Sequence, residues 1–541
     1  MSSPFPHEWV FSHAARTPGA AAVDGPELRL SYALLAQRVR ALAGHLVALG
    51  LEPGERVLVA LPHGPAGAVA SLAVQAAGGC PVELDREAGL QALQAVLVQT
   101  GARCAVVLGR DARLWGQLGL LRPWLHLHVV HPAPLPAPLL KALGAPATHL
   151  GEDGALDPAV LAPPLAEGRV RDARELASNV YTSRSTGAPR GEMQTYANVA
   201  ANTRAIAQYL ALSSVDRAMA VLPLHYCYGK SVLTTHLYVG GSVFLDARFM
   251  YPQLVLEAMA SERCTGFAGV PLTFELLRRQ GGSALALARE SLRYVTQAGG
   301  ALAPDTLAWA REAFAPARFF VMYGQTEATA RLSYVPPERL AQKAGSIGVP
   351  VPGVELRVVS EAGAELATGE SGHLVARGES ICPGYFQDPE ATREVLRDGW
   401  LWTGDLAYRD EDGFFHLVGR AKEILKVGGH RVSPQEIEHA LLEHPAVLEA
   451  AVVGLPDALE GECAVAAVVL REPGAPLDPE LLRRHCRERL PAHKVPRHVL
   501  FLPALPRGGS GKVQRSTLRT QLSPLLSTDH RLASRATPGA S

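Results

Sequence analysis

The sequence predicts an α/β protein with a large, multi-lobed N-terminal domain, in which helices flank β-sheets, and a small α+β C-terminal domain. Three observations support this fold class. Helix-like and strand-like segments alternate along most of the chain. The 541 residues amount to about three to four typical domains. Near residue 420 the pattern changes to that of a shorter module with its own helices and strands.

The first clear elements are a helix over residues 31–50 and strands over residues 56–61 and 101–108. Apolar residues in the helix recur three or four positions apart, as expected for one buried face, and Gly50 can adopt the left-handed conformation that ends a helix. The apolar face consists of Leu35, Val39, Leu42 and Leu46. Residues 131–171 are rich in proline, which predicts a surface connection with little regular structure.

The C-terminal module follows a predicted hairpin over residues 400–417, which turns at residues 410–413. Its first helix begins at Ser433, where Ser-Pro-Gln-Glu is the pattern of a capping box with proline at the first helical position. The other predicted elements are strands over 450–453 and 464–470 and a helix that opens at Asp478. These patterns predict an N-terminal domain over 1–419, a C-terminal domain ending at 526 and a disordered tail over 527–541.

Composition excludes several classes of function. Basic and acidic residues are equal at 52 each, so the chain lacks the basic excess of a sequence-independent nucleic-acid binder. No apolar run is long enough to span a bilayer, and no secretory signal is visible. Seven cysteines without a CxxC pair indicate neither a disulfide framework nor a zinc knuckle. We therefore expect a soluble, cytoplasmic protein without nucleic-acid partners or a membrane span.

A loop rich in hydroxyl groups follows a short apolar strand. It reads Tyr-Thr-Ser-Arg-Ser-Thr-Gly-Ala-Pro-Arg-Gly over residues 181–191. Hydroxyls, backbone N–H groups and a cation in one loop suit the binding of polyphosphate. The spacing of a Walker A loop is absent, and a polar surface turn is the competing interpretation of this loop alone.

A second segment, Tyr323–Glu327, follows a predicted strand over residues 319–322. Ligands bind at the carboxyl ends of strands in open α/β sheets. There an aromatic ring can stack on a base, Thr326 can donate to phosphate, and Glu327 can hold Mg²⁺ through oxygen. Three further segments are Trp-Thr-Gly-Asp at 402–405, Gly-Arg at 419–420 and Leu-Pro-Arg-Gly-Gly-Ser-Gly-Lys at 505–512.

These five segments, in this order and at these separations, resemble the adenylate-forming superfamily of acyl-CoA synthetases, peptide-synthetase adenylation domains and luciferases. Benzoate-type aryl- or acyl-CoA ligases are the most similar branch, and the resemblance covers about residues 8–520. It implies ATP, Mg²⁺ and coenzyme A as cosubstrates and cofactor, and a reaction through acyl-AMP to a thioester. It also implies that the C-terminal domain, residues 423–526, is mobile and turns about a hinge at 420–422 that contains Lys422.

The resemblance implies a role for each residue of the ATP site. Tyr323 would stack on adenine, Thr326 would contact the α-phosphate, and Glu327 would ligate Mg²⁺. Asp405 would bind the ribose hydroxyls, with Arg420 nearby. The remaining ATP-binding candidates are Thr182, Ser183, Ser185, Thr186, Gly187, Arg190, Gly299, Gly300, Ala301 and Gly324.

Lysines of the C-terminal module complete the implied machinery. Lys512 would place a positive charge between the substrate carboxylate and the α-phosphate, since two anions must approach each other there. Lys426 would lie on the thioester-forming face, beside a pantetheine tunnel at Gly428 and Gly429. The chain has only seven lysines against 45 arginines, so lysines at these positions indicate a need for a compact ammonium group.

The motif Pro-Leu-His-Tyr-Cys-Tyr-Gly at 223–229 resembles the acid-binding segment of the superfamily. No Asp lies between Val221 and Leu245, so an α-amino acid would lack a counter-charge for its ammonium group. Aromatic residues here favour a small aromatic acid, such as a benzoate or an anthranilate-like compound, and a medium-chain fatty acid is the alternative. The acid-binding candidates are His225, Tyr226, Tyr228, Gly229, Gly269, Val270 and Pro271.

The thiol acceptor and the activity itself are each open to a second interpretation. A carrier-protein phosphopantetheine presents the same thiol as coenzyme A. The loop departs from the family pattern at Arg184, where glycine is usual, and at Arg190, where lysine is usual. An inactive nucleotide-binding relative would explain both departures.

Hydrolase motifs of the GxSxG and HExxH types are absent, and His126 and His128 are interpreted as surface or packed residues.

Overall fold

The computed structural model describes residues 3–121, 125–143, 145–158, 160, 162–170, 172–182, 189–457, 460–472, 474, 476–507 and 513–533 of the chain. The seven cysteines lie in these ranges, and none forms a disulfide. Among the helices of the described ranges, none combines the length and the apolar character needed to cross a membrane.

The strands of the described chain, in order, are β1 (Ala21–Asp24), β2 (Arg29–Ser31), β3 (Arg56–Ala60), β4 (Cys80–Glu83), β5 (Cys104–Leu108), β6 (His126–Val130), β7 (Ala147–Leu150), β8 (Leu176–Thr182), β9 (Arg190–Thr195), β10 (Arg217–Ala220), β11 (Ser242–Leu245), β12 (Gly266–Gly269), β13 (Tyr294–Gln297), β14 (Arg318–Tyr323), β15 (Ser333–Val335), β16 (Ser346–Pro350), β17 (Val354–Val359), β18 (Gly372–Gly378), β19 (Gly384–Tyr385), β20 (Leu396–Arg397), β21 (Trp400–Arg409), β22 (Phe415–Arg420), β23 (Leu425–Val427), β24 (His430–Val432), β25 (Val447–Asp457), β26 (Gly461–Leu470) and β27 (His498–Phe501).

The α-helices of the same residues are α1 (Pro6–Arg16), α2 (Tyr32–Ala48), α3 (Pro65–Ala76), α4 (Leu90–Thr100), α5 (Ala112–Leu121), α6 (Ala137–Leu143), α7 (Tyr196–Leu210), α8 (Cys227–Val239), α9 (Pro252–Ser261), α10 (Pro271–Gln280), α11 (Gly282–Ala288), α12 (Pro304–Ala313), α13 (Pro389–Val395), α14 (Pro434–Leu442), α15 (Pro479–Arg487) and α16 (Arg515–Ala533).

Four sheets organise these elements, and their arrangement confirms the predicted α/β class. The longest sheet has the strand order β17-β18-β21-β22-β16-β15-β14-β13-β12-β10-β11-β1-β2, with β20 paired to β21. Its central strands are parallel. A second, wholly parallel sheet has the order β4-β3-β5-β6-β7, and a third, antiparallel sheet has the order β19-β9-β8. The fourth contains β23 to β27 and forms the C-terminal module.

The helix α2 shows how the predicted pattern produces the core. Ser31 caps it by accepting from the N–H of Leu34, and Gly50 follows it with the positive φ of 81° that the sequence predicts. The four residues of the predicted apolar face are fully buried. They belong to one core with Val106 and Val130 of the second sheet, so α2 packs between the two large sheets of the N-terminal domain.

Two local predictions are wrong. Residues 131–171 contain α6 and β7, and β7 pairs with β6 to complete the second sheet. Pairing at the edge of a sheet supplies backbone hydrogen bonds that a proline-rich sequence does not reveal. Ser433 precedes α14 but does not cap it. Its hydroxyl instead donates to the carbonyl of Val418, while the proline at the first helical position is as predicted.

The end of the chain also departs from the prediction. The helix α16 runs to Ala533, well into the segment 527–541 for which composition predicts disorder. Leu518 and Leu522 of this helix are fully buried against the C-terminal sheet. The first turns of α16 therefore have a packing partner, and the helix continues from them to Ala533.

Candidate active site

Four neighbouring parallel strands carry four of the predicted segments to one edge of the long sheet. The strands β10, β12, β13 and β14 lie side by side and run in the same direction. Each carboxyl end leads directly into a predicted segment: 223–229 after β10, 269–271 at β12, 299–301 after β13 and 323–327 at β14. This edge is where open α/β sheets bind ligands, so the topology assembles the candidate site.

Direct contacts join these segments to one another. The Thr326 hydroxyl donates to the sulfur of Cys227 at 3.6 Å, which connects the predicted phosphate and acid segments. The Gln297 side-chain amide donates to the carbonyl of Gly300 at 2.6 Å. Glycine is required at position 324, because a Cβ atom there would lie 1.9 Å from the carbonyl oxygen of Ala330. The chain therefore turns sharply between the end of β14 and Thr326.

A buried carboxylate lies at the centre of the predicted nucleoside site. Asp405 on β21 pairs with the Arg420 guanidinium at 2.9 Å and accepts the Tyr323 hydroxyl at 2.5 Å. Asp405 and Arg420 are opposite each other in the antiparallel pairing of β21 with β22. Burial raises the pKa of Tyr323, and the charge of Asp405 raises it further. The tyrosine therefore stays protonated and holds the carboxylate beside the predicted base site.

The predicted phosphate loop connects the two strands of an antiparallel hairpin. Thr182 at the end of β8 is opposite Arg190 at the start of β9. Arg190 pairs with Asp388 at 2.8 Å, and its guanidinium lies 5.4 Å from the centre of the Tyr385 ring. The guanidinium of Arg190 is thus fixed at the base of the loop. The predicted loop residues Ser183, Ser185, Thr186 and Gly187, with Arg184, lie outside the described residues.

Glu327 can serve as a magnesium ligand. One of its carboxylate oxygens accepts the hydroxyl of Tyr385 at 2.7 Å, and β19, which carries Tyr385, pairs with β9 of the phosphate hairpin. Among the described residues no lysine or arginine forms an ion pair with Glu327. Mg²⁺ prefers one or two carboxylates together with substrate phosphates. A carboxylate without a direct ion pair among the described residues, beside the predicted phosphate hairpin, fits that requirement.

Tyr228 of the predicted acid-binding segment is buried, with its hydroxyl bonded and its ring covered. The Tyr228 hydroxyl lies 3.0 Å from the carbonyl oxygen of Thr296, to which it donates, and 2.9 Å from the Thr296 hydroxyl, and its ring is covered by the Arg331 guanidinium at 4.0 Å. Burial raises the pKa of Tyr228 to about 12. Helix α8 fits tightly here, since a Cβ at Gly229 would lie 2.3 Å from the Pro223 carbonyl oxygen. Tyr228 therefore contributes an apolar wall with its hydroxyl already bonded.

The interior next to Thr296 and Arg331 is nearly filled. Thr296, Arg331 and His236 border a cavity of about 20 Å³, which is room for about one water molecule. Earlier in the 223–229 segment, the ring centres of His225 and Tyr226 lie 4.6 Å apart. Burial lowers the pKa of His225 although the nearby Asp85 and Glu83 oppose this effect. The imidazole is accordingly neutral at pH 7 and supplies no formal charge.

The structure places the C-terminal candidates in a separate sheet. Lys426 is exposed on β23, and its N–H donates to Glu462 of the same module. Gly428 and Gly429 form the turn to β24 with φ angles of 54° and 81°. Lys422 comes soon after β22, which is the last strand of the long sheet in chain order. The Lys422 side chain is 92% exposed. Lys512 lies outside the described residues.

Three side chains that contact the site were not predicted from the sequence: Tyr385, Asp388 and Arg331. Asp388 directly precedes a proline at the start of α13 and accepts from the N–H of Ala391, which is a recognisable N-cap pattern. Tyr385 follows a glycine on a two-residue strand, which is too short to detect by periodicity. Arg331 carries no signal in a chain with 45 arginines.

Comparison with known proteins gives consistent matches over most of the chain. Residues 10–386 match the family model described as AMP-binding enzyme, and residues 436–512 match that of the AMP-binding enzyme C-terminal domain. A feruloyl-CoA synthase of Amycolatopsis sp is 34% identical over 94% of this chain and 98% of its own length. A sulfoacetate–CoA ligase of Cupriavidus necator is 36% identical over 93% and 92%. The crystal structure of a benzoate CoA ligase from Burkholderia xenovorans LB400 superposes with a TM-score of 0.83, at 28% identity over 95% and 99%.

Proposed function

Because this chain belongs to the AMP-binding enzyme family, with AMP-forming acid–CoA ligases among its relatives, we propose that it joins a small aromatic acid to coenzyme A. The observation that carries this proposal is the assembly of the acid, adenine and phosphate segments at the carboxyl ends of four adjacent parallel strands. A benzoate or an anthranilate-like compound is the proposed acid. Two relatives named for aromatic acids, feruloyl-CoA synthase and benzoate CoA ligase, support the choice.

The packing around Tyr228 favours a ring over a medium-length alkyl chain as the substrate. Tyr228 and Arg331 would form the far end of the proposed acid site, since the Arg331 guanidinium covers the Tyr228 ring, and the cavity that Arg331 borders holds only about 20 Å³. A flat ring can lie against the aromatic wall, whereas an extended chain would have to displace Tyr228 from Thr296. Breaking that buried hydrogen bond would leave unsatisfied polar groups, at a cost of about 1–3 kcal/mol.

The proposed reaction has two steps. In the first, a carboxylate oxygen of the acid attacks the α-phosphorus of ATP, the bond to the β-phosphate oxygen breaks, and pyrophosphate leaves. In this proposal Asp405 binds the ribose, Thr326 donates to the α-phosphate, and Lys512 supplies the positive charge needed between the two anions. Mg²⁺ at Glu327 would offset phosphate charge. We propose no part for the hydroxyl of Tyr228 in the chemistry.

In the second step the C-terminal module turns about Lys422 and presents Lys426, Gly428 and Gly429 to the acyl-AMP. The sulfur of coenzyme A attacks the acyl carbon, the carbon–oxygen bond to AMP breaks, and the thiol proton is released to solvent. The exposed side chain of Lys422 and the short 3₁₀ turn Ala421–Glu423 between the two sheets support a hinge at 420–422. The domain bounds 1–419 and 423–526 belong to this proposal.

A second candidate is an acid that carries another anionic group. Arg331 is only 3% exposed, and no Asp or Glu of the described residues pairs with it. A buried cation is costly without a counter-charge. The guanidinium contacts the Tyr228 ring and the Met322 sulfur, neither of which carries a charge, and Arg331 would lie at the far end of the proposed acid site. A carboxylate or sulfonate on the far end of the acid would supply that partner. The relative named for sulfoacetate is consistent with this candidate.

A pyrophosphate-release screen, run with and without coenzyme A, separates these candidates. We expect the highest kcat/KM with benzoate or anthranilate and a much lower value with hexanoate or octanoate. The Arg331→Met variant should retain benzoate activity under the first candidate. Under the second, it should lose about 10- to 100-fold in kcat/KM for a benzenedicarboxylate, since hydrogen bonds to charged groups contribute about 1.5–3 kcal/mol.

The matched control for the screen is Arg204→Met, which removes an exposed arginine of α7 that pairs with Glu379. This variant should leave kcat/KM unchanged for every acid. Highest activity with octanoate would overturn the aromatic proposal, and absence of pyrophosphate release with every acid would support an inactive relative. Replacing coenzyme A by a phosphopantetheinylated carrier protein tests the second acceptor; faster transfer to the carrier would overturn the assignment of coenzyme A.

A further inference from the structure

A cluster of three histidines lies between α2 and the second sheet, away from the strands that form the candidate active site. His126 and His128 are two residues apart on β6, which places both on one face of the sheet. His45 of α2 faces them. The ring centres are 5.0 Å apart for His126 and His128 and 5.3 Å apart for His45 and His128. Each ring has one nitrogen that lies within 4.8 Å of a nitrogen of both other rings.

The polar groups of this cluster are incompletely paired. The hydroxyl of Thr148 on β7 lies 2.8 Å from Nε2 of His126 and 3.2 Å from Nε2 of His45. His128 is fully buried, and neither of its ring nitrogens makes a hydrogen bond of normal geometry. The backbone of Ala105 on β5 only partly opposes the lowering of the pKa of this ring by burial. A buried nitrogen without a partner is costly, so the packing leaves a polar requirement that some further group would meet.

Three imidazoles around one point match the ligand preference of a transition metal. Zinc bonds to histidine nitrogen at about 2.1 Å, which corresponds to about 3.4 Å between two nitrogens in a tetrahedral site. Small rotations of the rings would close the present spacing. We propose that His45, His126 and His128 form a binding site for a zinc-type divalent transition metal ion, with the Thr148 hydroxyl or a water molecule in the fourth position.

The protonation of the rings agrees with this geometry. Burial lowers the pKa of all three histidines, and for His126 and His128 the neighbouring histidines lower it further. Metal ligation needs neutral imidazole, which is the form present at pH 7. The site differs in chemistry from the proposed magnesium site, because imidazole suits zinc, copper or nickel and magnesium prefers oxygen. An ion here would tie α2 to β6 and so join two layers of the N-terminal domain.

The test is metal binding by the untagged full-length protein after treatment with a chelator. Zn²⁺ or Co²⁺ is titrated in the presence of excess Mg²⁺, with calorimetry for Zn²⁺ and the visible absorption of tetrahedral Co²⁺ as readouts. We expect one ion per chain, with a rise in melting temperature. The His128→Gln variant should weaken the affinity at least 100-fold. Because a fully buried substitution can impair folding, His126→Gln is a second test; this side chain is half-buried, and its amide can still reach Thr148.

The matched control is His430→Gln, which removes one member of the stacked pair His430 and His493 in the C-terminal module. That pair is a competing place for a transition metal, and its loss should leave the tight binding unchanged. The proposal is overturned if the unmodified protein binds no ion, if folded His126→Gln binds as tightly as the unmodified protein, or if His430→Gln abolishes binding. Since the readout is binding, the result is independent of whether the ligase activity is found.

Discussion

Asp405 shows how much of the site depends on single side chains. Its side chain is almost completely buried, and a buried carboxylate must be paired and hydrogen-bonded to be tolerated. Arg420 and Tyr323 provide both partners. The motif around residues 402–405 was enough to predict this residue, and Arg420 was predicted beside it. The hydrogen bond to Tyr323 was not predicted, because it joins residues 82 positions apart.

We predict that Asp405→Asn weakens ATP binding. The amide preserves the shape of the side chain but removes the charge that Arg420 and the ribose hydroxyls would share. Hydrogen bonds to a charged group contribute about 1.5–3 kcal/mol, so the KM for ATP should rise about 10- to 100-fold in the pyrophosphate-release assay. Glu411→Gln, in the exposed turn of the same hairpin, is the control. An unchanged KM for ATP in Asp405→Asn would remove Asp405 from the nucleoside site.

At the scale of elements, the short strand β19 and the capping residue of α13 connect the hairpin of β8 and β9 to Glu327, the proposed magnesium ligand. The two-residue strand β19 pairs with β9 and carries Tyr385, which bonds to Glu327. Asp388 then caps α13 and holds Arg190 at the base of the phosphate loop. The sequence predicted the loop and Glu327 separately. Only the pairing of β19 with β9 shows that they form one unit.

The two roles of Asp388 can be separated by paired substitutions. Asp388→Asn keeps the capping oxygen, since Asn and Asp cap helices about equally well, whereas Asp388→Ala loses a cap worth about 1 kcal/mol. We predict that the alanine variant has the lower melting temperature of the two, by less than about 4 °C. Both variants should raise the KM for ATP about two- to fivefold, because a partly exposed ion pair contributes up to about 1 kcal/mol.

Differential scanning calorimetry measures the melting temperatures, and steady-state kinetics measures the KM for ATP. The control is Glu390→Gln, on the exposed side of α13. Equal melting temperatures for the alanine and asparagine variants would contradict the capping role. An unchanged KM for ATP in both variants would show that Arg190 is positioned without Asp388.

At the scale of the whole molecule, ion pairs hold the C-terminal module against the N-terminal domain in the observed arrangement. Arg471 pairs with Asp305 at 2.5 Å, and Asp305 also pairs with Arg278 at 2.9 Å. Arg431 pairs with Glu361 at 3.0 Å. These groups are partly or largely exposed, so each pair contributes little on its own. An interface of this kind is compatible with a module that changes its orientation between two half-reactions.

We predict opposite effects of two lysine substitutions on the two half-reactions. Lys422→Pro fixes the backbone at the proposed hinge and should slow thioester formation more than adenylation. Lys512→Ala should slow adenylation about 10²- to 10³-fold, the usual effect of losing a charge-stabilising donor, and leave thioester formation from preformed acyl-AMP nearly unchanged.

Pyrophosphate exchange and single-turnover transfer to coenzyme A measure the two steps. Lys494→Ala, which removes another lysine of the C-terminal module, paired with Glu436, is the control. An unchanged ratio of the two rates in Lys422→Pro would contradict the hinge, and equal loss of both rates in Lys512→Ala would contradict the role of that lysine.

The sequence by itself determined the α/β class, the apolar face of α2, the hairpin that turns at 410–413 and the order of the nucleotide motifs. These features depend on residues close together in the chain, where periodicity, turn chemistry and motif spacing are visible. Tertiary structure decided the rest: the pairing of β7 in a proline-rich segment, the bonding of Ser433 to Val418, the cover of Tyr228 by Arg331 and the meeting of His45 with His126 and His128. Each of these joins segments that are distant in sequence, and such partners are set by the packing of sheets and helices, on which local sequence patterns carry no information.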